Sequence, residues 1–112
     1  DLNGKYLDQW PGLRLPLYIA VSKDQHVWVS SGRSNKMLKY DLNGHLLYSW
    51  STFGAQPSHL WGVHSFDTDI EGNLYIGEVF AGRAQKLRPR KGADPKFLVG
   101  PLASPGSLPV GQ

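Results

Sequence analysis

Along this chain apolar residues alternate with polar ones in short runs bounded by Gly, Asn, Asp, Ser and Pro, and no long stretch repeats its apolar positions at the helical period. The alternation predicts strands over Tyr18 to Ser22, His26 to Ser30, Lys36 to Tyr40 and His45 to Trp50. A second set runs over Val63 to Thr68, Leu74 to Glu78, Ala84 to Arg88 and Lys96 to Val99. In such a strand Val27 and Val29 face one way and Trp28 and Ser30 the other, so each sheet has two faces to bury. Asn3-Gly4 and Asn43-Gly44 read as type I′ hairpin turns, in which both central residues need positive φ, and Glu71-Gly72 does similar work one strand earlier.

A longer unit also recurs. Asp1-Leu2-Asn3-Gly4-Lys5-Tyr6-Leu7-Asp8-Gln9-Trp10 returns as Asp41-Leu42-Asn43-Gly44-His45-Leu46-Leu47-Tyr48-Ser49-Trp50, a shift of 40 positions, which is the length of a β-propeller blade. Asp24 to Val29 matches Glu71 to Ile76 at a shift of 47, and Gly32-Arg33 matches Gly82-Arg83 at a shift of 50. The differences predict seven extra loop residues between Trp50 and His64 and three more between Ile76 and Arg83. The expected architecture is all-β, a β-propeller fragment of two four-stranded antiparallel blades plus one extra N-terminal outer strand. Residues 1–12 would be the outer strand of a preceding blade, 13–54 and 55–100 the two blades, and 101–112, rich in Pro, Gly and Ser, a tail or closing segment. Two blades alone would leave sheet faces and edges open, so further blades of a longer chain, or other copies of this one in a homo-oligomer, are expected to cover them.

Composition adds limits. The 112 residues, 40% hydrophobic and 19% charged, are those of a chain that folds, and 13 Gly, 8 Pro, 4 Trp and 5 Tyr suit a turn-rich β protein. With no cysteine there is neither a disulfide framework nor a thiolate metal site, which leaves secreted, periplasmic and cytoplasmic compartments equally open. No apolar run is long enough to span a bilayer. The net charge of +3 comes partly from Lys86, Arg88, Arg90, Lys91 and Lys96; without an interleaved aromatic motif this cluster reads as a solvated strand and loop, not a nucleic-acid site.

The pattern Glu71-Gly72-Asn73-Leu74-Tyr75-Ile76 followed by Gly82-Arg83-Ala84-Gln85-Lys86 resembles the NHL-repeat family of six-bladed propellers. The likeness extends to Gly100, although Ser22, Gln25 and Asn35 depart from the pattern in the earlier unit. The run from Trp61-Gly62-Val63-His64 to Tyr75 is similar to the late blades of peptidyl-α-hydroxyglycine α-amidating lyases. That resemblance implies a lyase releasing a peptide amide and glyoxylate. It also implies zinc as cofactor, with His64, eight residues before Gly72, as one of three histidine ligands on innermost strands. The equivalent position in the earlier unit is Leu17, so the other ligands would come from other blades.

In a propeller the outer-to-inner connection and the loop between the second and third strands reach the same end, which makes that end the expected binding face for a peptide or small molecule. It would carry Tyr18, Arg33, His59, Trp61, His64, Glu78 and Arg83. Each has a structural reading beside the functional one. His64 could hydrogen-bond to neighbours or water, Arg33 and Arg83 could recur to hold backbone carbonyls, and Glu78 could pair with Arg83 instead of moving protons. His26 and His45 are expected near exposed turns, and Trp10, Trp50, Trp28 and Tyr75 are expected to pack blades together. The alternative to an enzyme is a non-catalytic propeller scaffold binding protein, glycan or nucleic acid, or a self-assembling blade fragment without activity.

Overall fold

The computed structural model describes residues 1–103. Among these residues the fold is all-β, with seven antiparallel strands in two meanders. β1 (Pro16–Val21), β2 (Val27–Ser31), β3 (Lys36–Tyr40) and β4 (Leu46–Trp50) form a four-stranded sheet in sequence order, and β5 (Val63–Thr68), β6 (Leu74–Glu78) and β7 (Arg83–Leu87) form a three-stranded one. These are the first seven expected strands, displaced by no more than two residues at their ends.

One shift relates the two sheets. β5, β6 and β7 begin 47 positions after β1, β2 and β3, at Val63 against Pro16, Leu74 against Val27 and Arg83 against Lys36. The three-residue insertion expected between Ile76 and Arg83 is therefore absent: four residues join β2 to β3 and four join β6 to β7. Backbone conformation follows the same correspondence. Leu15, Gln25 and Asn35 have φ of 55°, 65° and 54°, and their counterparts Gly62, Gly72 and Gly82 have 70°, 82° and 63°. The left-handed position, not the letter pair Gly-Arg, is what repeats, so Arg83 corresponds to Lys36 and not to Arg33.

The turns differ from expectation as well. Neither Asn3 nor Asn43 has positive φ; only Gly4 (84°) and Gly44 (85°) do. The cause is the aspartate that opens each turn. Asp41 Oδ1 accepts the N–H groups of Asn43 and His45 at 2.8 and 2.9 Å, while Gly44 N–H closes on the Asp41 carbonyl at 3.2 Å. Asp1 and Asp69 repeat the device toward Gly4 and Gly72. An Asx-stabilised turn of this kind needs one left-handed residue at its end, where glycine avoids the Cβ clash.

Alternation assigns the faces. Trp28, Met37 and the partly buried Ala20, Tyr48 and Trp50 of the first sheet pack against Val63, Phe66, Leu74 and Ile76 of the second, with Leu60 and Val99 closing the cluster. The opposite face of the first sheet, Val27, Val29, Leu38 and Tyr40, is covered by Trp10 and Leu13 from the N-terminal arm. That arm forms no strand, whereas an outer strand is expected over residues 1–12. Its Trp10 ring stands 5.4 Å from that of Tyr40 and packs the arm on the first sheet.

The eighth expected strand, Lys96 to Val99, is also absent. Asp94 caps a 3-10 turn over Pro95–Phe97 by accepting from Lys96 N–H at 3.1 Å, and the chain turns back toward the first sheet. Phe97 packs on Tyr48 at 4.7 Å, and the buried Lys39 ammonium donates to the Lys96 carbonyl at 2.7 Å. Pro101 and Ala103 then exchange hydrogen bonds with Lys23 and Val21, with Leu102 bridged to Ser22. Residues 88–103 thus run from the end of β7 back across the first sheet as a strap; the rest of residues 101–112, expected as a tail or closing segment, lies outside the described residues.

Two outcomes follow for stability. Gln25→Gly should stabilise the chain by about 0.5–1 kcal/mol, since a left-handed non-glycine residue costs roughly 1–2 kcal/mol and glycine's added chain entropy offsets part of that gain; urea denaturation measures it. Lys39→Met, which keeps the stem and removes the ammonium, should destabilise by about 1–2 kcal/mol and speed hydrogen exchange at Leu98 and Ala103 more than in β2.

Candidate functional site

The end of the sheets that carries the β2–β3 and β6–β7 loops also receives the long β4–β5 connection, residues 51–62. Twelve residues of irregular backbone there need partners for their polar groups, and two of the expected pocket residues, Glu78 and Arg83, supply several of them. Arg83, the first residue of β7, donates to the carbonyls of Ala55, Gln56 and His59, the last two at 3.2 and 3.0 Å. Its Nε donates to Glu78 Oε2 at 2.7 Å. Gln85, two residues along the same face, donates to the His59 carbonyl at 2.8 Å and to Glu78 Oε2 at 2.9 Å, and accepts from Ser58 N–H at 3.0 Å.

Glu78 is the hub. Its side chain is fully buried, and Oε1 accepts the Trp61 backbone N–H at 2.8 Å. Burial alone would raise its pKa; hydrogen bonds from Arg83, Trp61 and Gln85, with the Arg83 charge, outweigh that and hold the carboxyl below its ordinary value. A carboxylate saturated in this way is a fixed acceptor and has no proton to exchange with a ligand. The salt-bridge reading of Glu78 and the carbonyl-holding reading of Arg83 describe what the structure shows. Arg33 does not share the role. It is exposed in the β2–β3 loop, and the matched Lys36 instead donates to the Ser51 carbonyl at 3.2 Å.

The remaining expected residues are dispersed. Tyr18 lies edge-on to Phe66 at 5.0 Å, bridging β1 and β5. Trp61 lies edge-on to Phe53 at 5.4 Å, with both rings partly exposed. His59 is half-buried, its ring so close to Gly54 that a Cβ there would lie 2.6 Å from Nδ1. His26 and His45 stay beside their turns, paired with Asp24 and Asp41 at 3.1 and 2.8 Å. Gln85 and Asn35 were not picked out by sequence reasoning, yet Gln85 ties the hub and Asn35 Oδ1 accepts the Gly62 N–H at 2.9 Å. The available signal was a polar Gln85 at an inward strand position where the first sheet has Leu38.

His64 stands apart from this cluster. Val63 pairs with Glu78 and Ser65 with Gly77, so His64 is the unpaired residue of a bulge at the start of β5. Leu17 is the unpaired residue of the matching bulge in β1. Bulges re-aim side chains and are frequent near functional sites. The His64 side chain is exposed and has no hydrogen-bond partner among the described residues, leaving both ring nitrogens open to a ligand. Among the described residues no three His, Cys, Asp or Glu side chains come together in a way that could hold a metal, so His64 fits a metal only as a single donor.

No family model matches the chain, and no curated protein is significantly similar to it.

The lowered carboxyl groups set the acid behaviour. Asp69, held by Asn73 first and then by Tyr75 and backbone N–H groups, is at about 2, and Glu78 is also lowered. Groups depressed on folding contribute stability that is present above their unfolded values, about 4–4.5, and is lost as pH falls toward the folded values. Stability should therefore fall on acidification from about pH 4.5 to 2. Glu78→Gln should cost about 2–3 kcal/mol at pH 7, because it removes a charged acceptor from a buried hub, and should flatten part of that acid dependence; thermal unfolding across pH measures both.

Proposed function

We propose that this chain is a two-blade segment of a larger NHL-type β-propeller, similar to the amidating lyases, whose ligand face is the end bearing residues 51–62 and in which His64 supplies one donor to a zinc centre completed by other blades. The observation that carries this reading is the bulge. The chain interrupts a regular ladder at the start of an inner strand to present an imidazole with no partner among the described residues, while Glu78 and Arg83 of the same end are consumed in holding the loop. Zinc at such a place would polarise a substrate oxygen or lower the pKa of a bound water. The chain's own contribution would be the loop held by Glu78, Arg83 and Gln85, with Phe53 and Trp61 exposed on it as a surface for an apolar or peptide substrate.

Metal analysis of the assembled propeller, with the further blades or copies that complete it, tests the proposal. About one zinc per propeller is expected, lost in His64→Ala, while His64→Leu, the residue of the matching bulge, should keep the melting temperature. Conversion of a peptidyl-α-hydroxyglycine to its amide and glyoxylate should disappear with the metal. Full zinc occupancy in His64→Ala would overturn the reading.

A further inference from the structure

We infer that the free edge of β7 is an acceptor for a fourth strand, and that residues 1–10 of a second copy of this chain are that strand. The inference rests on the blade reading proposed above and is independent of the metal.

β7 ends a sheet that stops at three strands where its partner has four, and no backbone hydrogen bond beyond those to β6 engages it among the described residues. In the first sheet the fourth place is taken by residues 46–50, part of the unit Asp41 to Trp50. The only other run of that pattern among the described residues is Asp1 to Trp10, and it makes the same aspartate-opened turn. It pairs with no strand. Its own sheet already has β4 at one edge, so it cannot take the fourth place there.

Trp10 shows how the copies would meet. Trp50 lies on the outer strand of the first sheet and packs against the following sheet, on the cluster that holds Leu74, Ile76 and Leu87. Trp10 packs on Val27, Val29 and Tyr40, which occupy the corresponding positions of the first sheet. A segment 1–10 paired to β7 of one copy would therefore send Trp10 onto the first sheet of its own copy, where it already lies. The groove beside it, lined by Trp10, Leu13, Leu17, Ile19 and Val29, is apolar and open. The outer face of the second sheet, carrying the partly exposed Tyr75, would lie against it.

The register can be written down. β3 and β4 pair Met37 with Trp50, Leu38 with Ser49, Lys39 with Tyr48 and Tyr40 with Leu46. Moving β3 by 47 and β4 by 40 places Ala84 opposite Trp10, Gln85 opposite Gln9, Lys86 opposite Asp8 and Leu87 opposite Tyr6 of the second copy. The small residue faces the large one and the cation faces the anion. Neither Asp8 nor Lys86 has an ion-pair partner among the described residues. Because the donor and acceptor surfaces differ, the contact is head-to-tail, the kind that forms a closed ring when the rotation between copies closes.

Sedimentation of the 112-residue chain over a concentration series should show a discrete oligomer. Asp8→Lys and Lys86→Asp should each weaken it about tenfold per junction, since like charges opposite one another across strands repel. The double variant should recover to within about threefold of wild type. Circular dichroism of each variant distinguishes lost assembly from lost folding; the rescue by the double variant does so independently. A wild type that stays monomeric, or single variants that assemble as tightly as wild type, would overturn strand donation without touching the zinc assay of His64. Zinc retained in an assembled His64→Ala protein would do the reverse.

Discussion

The two sheets meet through Trp28 and Met37 on one side and Val63, Phe66, Leu74 and Ile76 on the other, and nearly every other feature depends on that contact. A β-sheet presents two faces, and a meander of three or four short strands cannot bury either by itself. Stacking satisfies one face of each. Trp28, fully buried, is the largest residue at the join, and the Lys39 ammonium lies 5.6 Å above its ring while also reaching the closing strap. The second sheet keeps the same arrangement, Lys86 over Tyr75 at 5.5 Å, but on a face left partly exposed among the described residues.

The loop end shows what a change of one strand-terminal residue can do. Ser31 ends β2, and its hydroxyl donates to the Arg14 carbonyl at 2.7 Å, holding the short approach to β1. At the matching place β6 ends in Glu78, which must organise a twelve-residue connection. A carboxylate accepts several donors at once, and with Arg83 and Gln85 beside it the carbonyls of Ala55, Gln56 and His59 and the N–H groups of Ser58 and Trp61 find side-chain partners. The residues that look most like acid–base machinery are thereby committed to architecture. His64, exposed at the same end, has no hydrogen-bond partner among the described residues.

The strands were legible because alternation is local: each run of four to six residues carries its own period. The turns were half legible. Asn-Gly marked the places, but the conformation is set by Asp1, Asp41 and Asp69 three residues before each glycine, a spacing that repeats in the letters. Matching Gly32-Arg33 to Gly82-Arg83 failed because the identity of letters hid a conformational repeat in which Asn35 takes a glycine's place. The strap was not legible. Phe97 and Val99 alternate like strand residues, and only the Asp94-Pro95 cap and the partners Tyr48 and Lys39, far away in sequence, decide otherwise. At the loop end the salt bridge was foreseen and the hub was not, since Gln85 and Asn35 carry no sign of their partners 26 and 27 residues away.

An exposed lysine on an edge strand is often a guard against unwanted pairing, and Lys86 could be read that way. The first sheet argues against a purely defensive role. Lys39, at the matched position, is almost fully buried over Trp28 with a fourth strand paired beside it at Tyr48. A lysine at this register is therefore compatible with a completed, covered sheet, provided its ammonium finds an acceptor. In the first sheet the acceptor is the Lys96 carbonyl. In the second, a strand carrying Asp8 would provide a carboxylate at the opposing position, so the same residue that discourages arbitrary partners favours one whose sequence repeats Asp41 to Trp50.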